Sequence, residues 1–214
     1  AALAFGCQRR ERAGTEGAER GQQAATEAEQ TARFVADLKP LNSDSGGGAS
    51  GKATLTVEGG QLVIDVEARG LPPGMHLMHY HGFKDGRDAT CAGPAQHRNG
   101  DGVVDLLETE AISGTTLVPF HADPASLQIQ TDTYPVANER GELRYQQRVP
   151  LDALARALSE KHGIKGLALD KRVVYLHGVA EGTKLPESAQ SLPDVPARVT
   201  LPVACGTLER VSPA

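Results

Sequence analysis

Gly70-Leu71-Pro72-Pro73-Gly74-Met75-His76-Leu77-Met78-His79-Tyr80-His81-Gly82-Phe83 holds three of the chain's seven histidines and both of its methionines. Its Leu-Pro-Pro-Gly turn should feed the chain straight into a strand. Side chains alternate along a strand, so His79 and His81 share one face while His76, Met78 and Tyr80 share the other. Two imidazoles on one face can reach the same metal ion. Imidazole suits copper, zinc, iron and nickel, and the thioethers of Met75 and Met78, if they took part, would tilt the preference toward reduced copper. An amphipathic strand with surface histidines is the competing reading of the same pattern.

Working outward, 214 residues are enough for one substantial core. Residues 1–30 read as a leader remnant and flexible tether, and 31–214 as one β domain. The net charge is −5 and the basic residues are scattered, which leaves no basic face for nucleic acid or anionic lipid. An ion or small molecule is the partner class that remains. Aromatics make up 4% of the chain and Trp is absent, against 24 Gly and 13 Pro. That balance fits short strands joined by tight turns, and the expected class is all-β. No apolar run approaches the roughly 18 residues that a spanning helix needs.

Ala1-Ala2-Leu3-Ala4-Phe5-Gly6-Cys7 resembles a bacterial lipoprotein processing site, with Leu3 one place further from Cys7 than usual. It suggests export to a periplasmic or extracellular location, with Cys7 as the lipidation site and the only link to a membrane. The other cysteines, Cys91 and Cys205, lie in well-patterned sequence. One disulfide and one lipid anchor would account for all three; three free thiols in a cytosolic protein is the alternative.

Taken in order, the segment from Gln8 to Gln30 has almost nothing to bury. Ala32 to Leu38 reads as a first strand and Asn42 to Gly51 as a flexible loop. Lys52 to Val57 and Gln61 to Val66 form a hairpin about Gly59-Gly60. Lys84 to Gly102 reads as a long ordered loop, Thr115 to Phe120 and Leu127 to Gln130 as strands, and Gly141 to Val149 as a stronger strand. Pro150 opens one short helix with Leu151, Leu154, Ala155 and Leu158 as its apolar stripe and Gly163 as its stop. Arg172 to His177 is a buried-type strand, Gly178 to Pro196 a second long loop, and Ala197 to Cys205 the last strand.

A second pattern spans His97 to Glu108, which follows a twelve-residue calcium loop with oxygen ligands at Asn99, Asp101, Asp105 and Glu108 and glycine at Gly102. The first position is His97 where calcium wants a carboxylate. Either calcium binds weakly here, or His97 serves another metal, or the segment is a plain turn. His121 reads as a loop histidine and His162 as a helix-end histidine, with no function assigned to either.

From about Ala32 to Leu208 these motifs resemble the copper/zinc superoxide dismutase family, and the resemblance implies a Greek-key β-sandwich or barrel. It implies His79 and His81 as copper ligands and His76 as a structural histidine on the opposite face. Cys91-Ala92-Gly93-Pro94-Ala95-Gln96-His97 matches the interval to the family's bridging histidine, and Val173-Val174-Tyr175-Leu176-His177 its last copper-ligand strand, with one extra residue. Ala204-Cys205-Gly206 matches the segment that closes a disulfide, here with Cys91. The family's remaining zinc ligands have no counterparts, because no histidine lies between His97 and His121, and zinc is not expected. Its guiding arginine falls on Pro202, leaving Arg198 as a substitute candidate, and residues 108–138 do not follow the pattern. Chordin-like bacterial domains are a rival resemblance.

Three readings follow. The first is an exported copper protein that disproportionates superoxide through His79, His81, His177 and His97. The second is a copper-binding or copper-buffering protein without catalysis. The third is a calcium-stabilised or metal-free extracellular β module. Fold class cannot choose among them.

Overall fold

The structure is a computed structural model that describes residues 31–212. The tether and Cys7 lie outside the described residues. The sheet begins as a meander of β1 (Ala32–Pro40), β2 (Ser50–Glu58) and β3 (Gln61–Arg69). Each strand alternates, burying Phe34, Ala36 and Leu38, then Ala53 and Leu55, then Leu62, Ile64, Val66 and Ala68. Gly59 and Gly60 both carry positive φ, 52° and 74°, at the β2–β3 turn, as a tight hairpin twisted with its strands requires.

The chain then crosses to β5 (Met78–Gly82) and β6 (Thr115–Pro119), returns to β8 (Leu143–Pro150) beside β3, and crosses again to β9 (Val173–His177) and β10 (Pro202–Thr207). The order along the sheet is β6-β5-β9-β10-β1-β2-β3-β8, with β11 (Glu209–Val211) paired to β1 and a separate two-stranded ribbon of β4 (Gly74–Met75) and β7 (Val136–Ala137). These crossings are those of a Greek key. The antiparallel sheet curls into a half-barrel whose edge strands meet through side chains. Tyr145 of β8 stacks on Phe120 at 6.0 Å and donates its hydroxyl to the carbonyl of His121, and Gln147 donates to the carbonyl of Ala122.

β5 and β9 differ from the meander in being buried at every position. Met78, Tyr80, Val174 and Leu176 join the barrel core, whereas Val173, Tyr175 and Cys205 join a second cluster with Leu41, Ala89, Ala92 and Val104. The second cluster is where loops cover the outside of the sheet.

Several expectations change. Asn42 to Gly51 is pinned rather than flexible. It forms a short helix, Ser43–Gly46, and the Asn42 side chain donates to the carbonyls of Val104 and Pro202 while accepting from the Val104 N–H. Leu127 to Gln130 forms no strand, because Leu127 ends a 3-10 turn with φ 53° and buries its side chain in the core. The expected last strand is a short helix, Ala197–Thr200, followed by β10. The helix after Pro150 runs Leu151–His162 with Leu154 and Leu158 buried and Gly163 left-handed at its end, as its stripe predicts. A further helix, Leu106–Ser113, replaces the end of the calcium-like pattern.

Cys91 and Cys205 are joined, with Cα atoms 5.8 Å apart, and so fasten the covering loop to β10 across 114 positions of sequence. Closing so long a loop restricts the unfolded chain, and a Cys91→Ala/Cys205→Ala variant should lose about 4–5 kcal/mol in urea unfolding. A loss below about 1 kcal/mol would mean that the loop's other contacts suffice.

Candidate metal centre

The Pro72-Pro73 turn delivers the chain into β5, which pairs on one side with β9 in the register His79 opposite Tyr175 and His81 opposite Val173. On its other side β5 pairs with β6, and a bulge falls between Tyr80 and His81. Alternation puts His79 and His81 on the covered outer face, and the same alternation along β9 puts His177 there, beyond Tyr175. The backbone N–H of His177 bonds the carbonyl of Leu77, which ties the end of β9 to the start of the histidine strand.

His79, His81 and His177 each offer a nitrogen lying within 4.8 Å of the others'. Ring centroids are 4.9 Å apart for His79 and His177, 5.5 Å for His79 and His81, and 6.0 Å for His81 and His177. None of the three is more than 3% exposed. Nδ1 of His177 donates to the carbonyl of Thr200 at 2.8 Å, which leaves the Nε2 lone pair aimed inward with no partner. His81 lies between the carbonyl of Gly114, 3.4 Å from Nδ1, and the hydroxyl of Thr116, 3.1 Å from Nε2. Among the described residues, neither nitrogen of His79 has a partner. Buried polar atoms left unpaired are costly, and an ion would satisfy those of His79 and His177, with a nitrogen of His81 in reach of the same point. Three imidazoles this close together fit a copper or zinc ion, His81 giving up its Thr116 contact to take part.

Tyr175 supports the cluster. Its ring lies 5.0 Å from His81 and 5.7 Å from His177. Its hydroxyl accepts the N–H of Ala92 and meets Ser113, whose own hydroxyl donates to the carbonyl of Thr90. Tyr134, from a loop with no sequence pattern, packs edge-on against His79 at 5.8 Å. Over the triad lies a cavity of about 230 Å³ lined by Leu77, Leu106, Ile129, Leu192, Thr116 and His162 among others. His162, unassigned from sequence, thus belongs to the cavity wall, and its Nδ1 is buried without a partner.

The other sequence candidates lie elsewhere. His97 does not join the triad. Its Nε2 accepts the N–H of Gly102 at 2.7 Å and lies 3.3 Å from Asp101, because the Asn99-Gly100-Asp101-Gly102 turn folds the chain back on it. Asp105 and Glu108 form a capping box for the helix Leu106–Ser113, each side chain accepting the other's backbone N–H. Their remaining oxygens accept from Gln190 and Arg98, and those of Asp101 from Val103, Asn99 and Ser188. The oxygens expected for calcium are thus held by protein donors, and calcium is not carried into the functional reading. Met78 is fully buried in the barrel core and Met75 is 40% exposed, so neither thioether belongs to the triad. His76 bridges the carbonyls of Pro72 and His177, at 2.8 Å each, in a structural role. His121 donates to the carbonyl of Gln128 and accepts from Asp123 within its own loop.

No family model and no curated protein matches the chain. Among solved structures, it is similar to the Cu/Zn superoxide dismutase from Brucella abortus. The two are 20% identical, the match covers 83% of this chain and 99% of that one, and the TM-score is 0.45. A second similar structure is the clock protein EA4, 17% identical, covering 84% of this chain and 94% of that one with a TM-score of 0.42.

Burial lowers the pKa of all three triad histidines: His81 to about 3, His177 to about 4, and His79 well below its usual 6.5. Desolvation is the largest cause, with repulsion between the rings adding to it at His79 and His81. The imidazoles are therefore neutral near pH 7, as ligation requires. In the metal-free protein the unfolded chain takes up these protons first, so stability is full above pH 6.5 and falls as the pH drops toward 4. His177 alone should contribute a loss on the order of 3 kcal/mol. Urea unfolding at pH 7 and pH 4.5 should show this loss in the parent and much less of it in a His79→Leu/His81→Leu/His177→Leu variant. An equal loss in both would assign the pH dependence to other groups.

Proposed function

We propose that the protein binds copper through His79, His81 and His177 and works outside the cytoplasm. One observation carries the metal reading: three imidazoles, none more than 3% exposed, bring nitrogens within 4.8 Å of one another, and those of His79 and His177 include atoms with no hydrogen-bond partner among the described residues. Copper is favoured over zinc because nitrogen sites bind divalent copper most tightly among the first-row ions. The Cys91–Cys205 bond supports an oxidising compartment.

A bound copper would supply one-electron redox chemistry. The chain's own part is to orient and to exclude water. The carbonyl of Thr200 fixes which nitrogen of His177 is free, Gly114 and Thr116 fix the ring of His81, and Leu77, Leu106, Ile129 and Leu192 wall the site. Such partners of a ligand set its tautomer and direction.

Superoxide disproportionation is the activity that the sequence resemblance attaches to these motifs; copper carriage without turnover is the second reading. The second is favoured by the charges around the site. Pro202 stands where the family pattern has its guiding arginine, Arg198 lies 4.0 Å from Glu181, and among the described residues no arginine lines the cavity. Fast capture of an anion relies on a steering field.

Reconstituted protein should hold one copper per chain. His79→Ala and His177→Ala should each weaken binding by more than about 100-fold, since losing only a hydrogen-bond partner of a ligand typically costs 10–100-fold. His97→Ala should bind as the parent does. Unchanged copper affinity in His79→Ala, or one tightly held zinc in place of copper, would overturn the reading. A superoxide assay on the copper-loaded parent then separates catalyst from carrier.

A further inference from the structure

The cavity over the triad does not stand alone. A second cavity of about 300 Å³ adjoins it, and Leu77, Ile129 and Leu192 line both. The far side of the second is built from Met75, Val195 and Val199, so the approach to the triad runs between aliphatic walls. The charged side chains along it do not add up to an anion funnel. Glu110 and Lys161 line the inner cavity with opposite signs, and the Lys161 ammonium already donates to the carbonyl of Leu127. Asp194, exposed at the outer cavity, is acidic. At the inner end the polar atoms on offer are the unpaired nitrogens of His79 and His177 with the hydroxyls of Thr116 and Thr200.

We propose that the paired cavities bind a small uncharged, largely apolar molecule, with one polar atom turned toward the histidine triad. Size allows it, since a cavity of about 150 Å³ lined by aliphatic side chains already accepts benzene. Charge selects it. In the metal-free protein an ion brought between these walls loses its hydration against a lining whose Glu110 and Lys161 cancel, whereas a neutral molecule replaces water against Leu77, Ile129 and Leu192 at a gain. The polar atom meets either the unpaired nitrogens directly or an ion held by them. The inference rests on the copper reading only for that last contact; the cavity and its class of ligand do not depend on metal.

The test uses three molecules of nearly one shape: benzyl alcohol, benzoate and benzylammonium. Each is titrated into the metal-free and the copper-loaded protein, and binding is read from the methyl NMR signals of Leu77, Ile129 and Leu192 in the metal-free form and by calorimetry in both. In the metal-free protein benzyl alcohol should give saturable shifts at these methyls, and the two ions should bind at least tenfold more weakly. Leu192→Trp, which fills the junction from a half-buried loop position, should weaken benzyl alcohol at least tenfold while melting near the parent's temperature. Ile129→Trp serves if that variant does not fold. Benzoate binding the metal-free protein as tightly as benzyl alcohol does, or no saturable binding of benzyl alcohol in either form, would overturn the proposal. Benzyl alcohol binding to a protein that takes up no copper on titration would defeat the copper reading alone, and copper uptake without benzyl alcohol binding would defeat this inference alone.

Discussion

Two neighbouring strands of this barrel, β5 and β9, are buried on both faces, and most of what is distinctive in the structure follows from covering the second face. A sheet face on the outside of a barrel ordinarily meets water and carries polar side chains. Here it carries His79, His81, Val173, Tyr175 and His177, and loops must close over it. The closure is fastened at separate points. The Cys91–Cys205 bond holds one loop to β10, Asn42 holds the Val104 backbone, and the Tyr175 hydroxyl reaches Ala92 and Ser113. Arg172, 1% exposed, donates to the carbonyls of Phe83 and Leu167 at the other end of β9, and a Cβ on Gly82 would lie 2.3 Å from its guanidinium.

The cover sets the electrostatics of the site as well as its shape. Removing water is what depresses the triad histidines, and it is also what makes their unpaired nitrogens costly. Each effect favours the other: a neutral imidazole is a ligand, and an ion would satisfy the lone pairs that burial has stripped of water. A surface His-x-His on an ordinary amphipathic strand would have neither property.

Much of this was legible in the sequence, to different depths. The shared face of His79 and His81 follows from the period of two and needs nothing else. His177 could be placed only through a motif resemblance, because no local rule connects positions 79 and 177. Counting from Cys91 left His97 open between the triad and its own loop, since a matching interval does not say which way a glycine-rich turn will fold; here the turn holds it against Gly102 and Asp101. Asp105 and Glu108 were ambiguous in kind: Asp-x-x-Glu fits the end of an ion-binding loop and equally a capping box, and the helix Leu106–Ser113 decides for the cap. Tyr134, Ile129 and Leu192 left no signal, because loop residues carry no periodicity and reach the site only once the loops close.

The central claim is that three imidazoles ligate one ion. Electron paramagnetic resonance with nitrogen hyperfine detection on protein loaded with one equivalent of divalent copper tests it most directly. The account predicts a single copper species coupled to three imidazole nitrogens. Fewer than three imidazole couplings, or a mixture of surface-bound species, would contradict it.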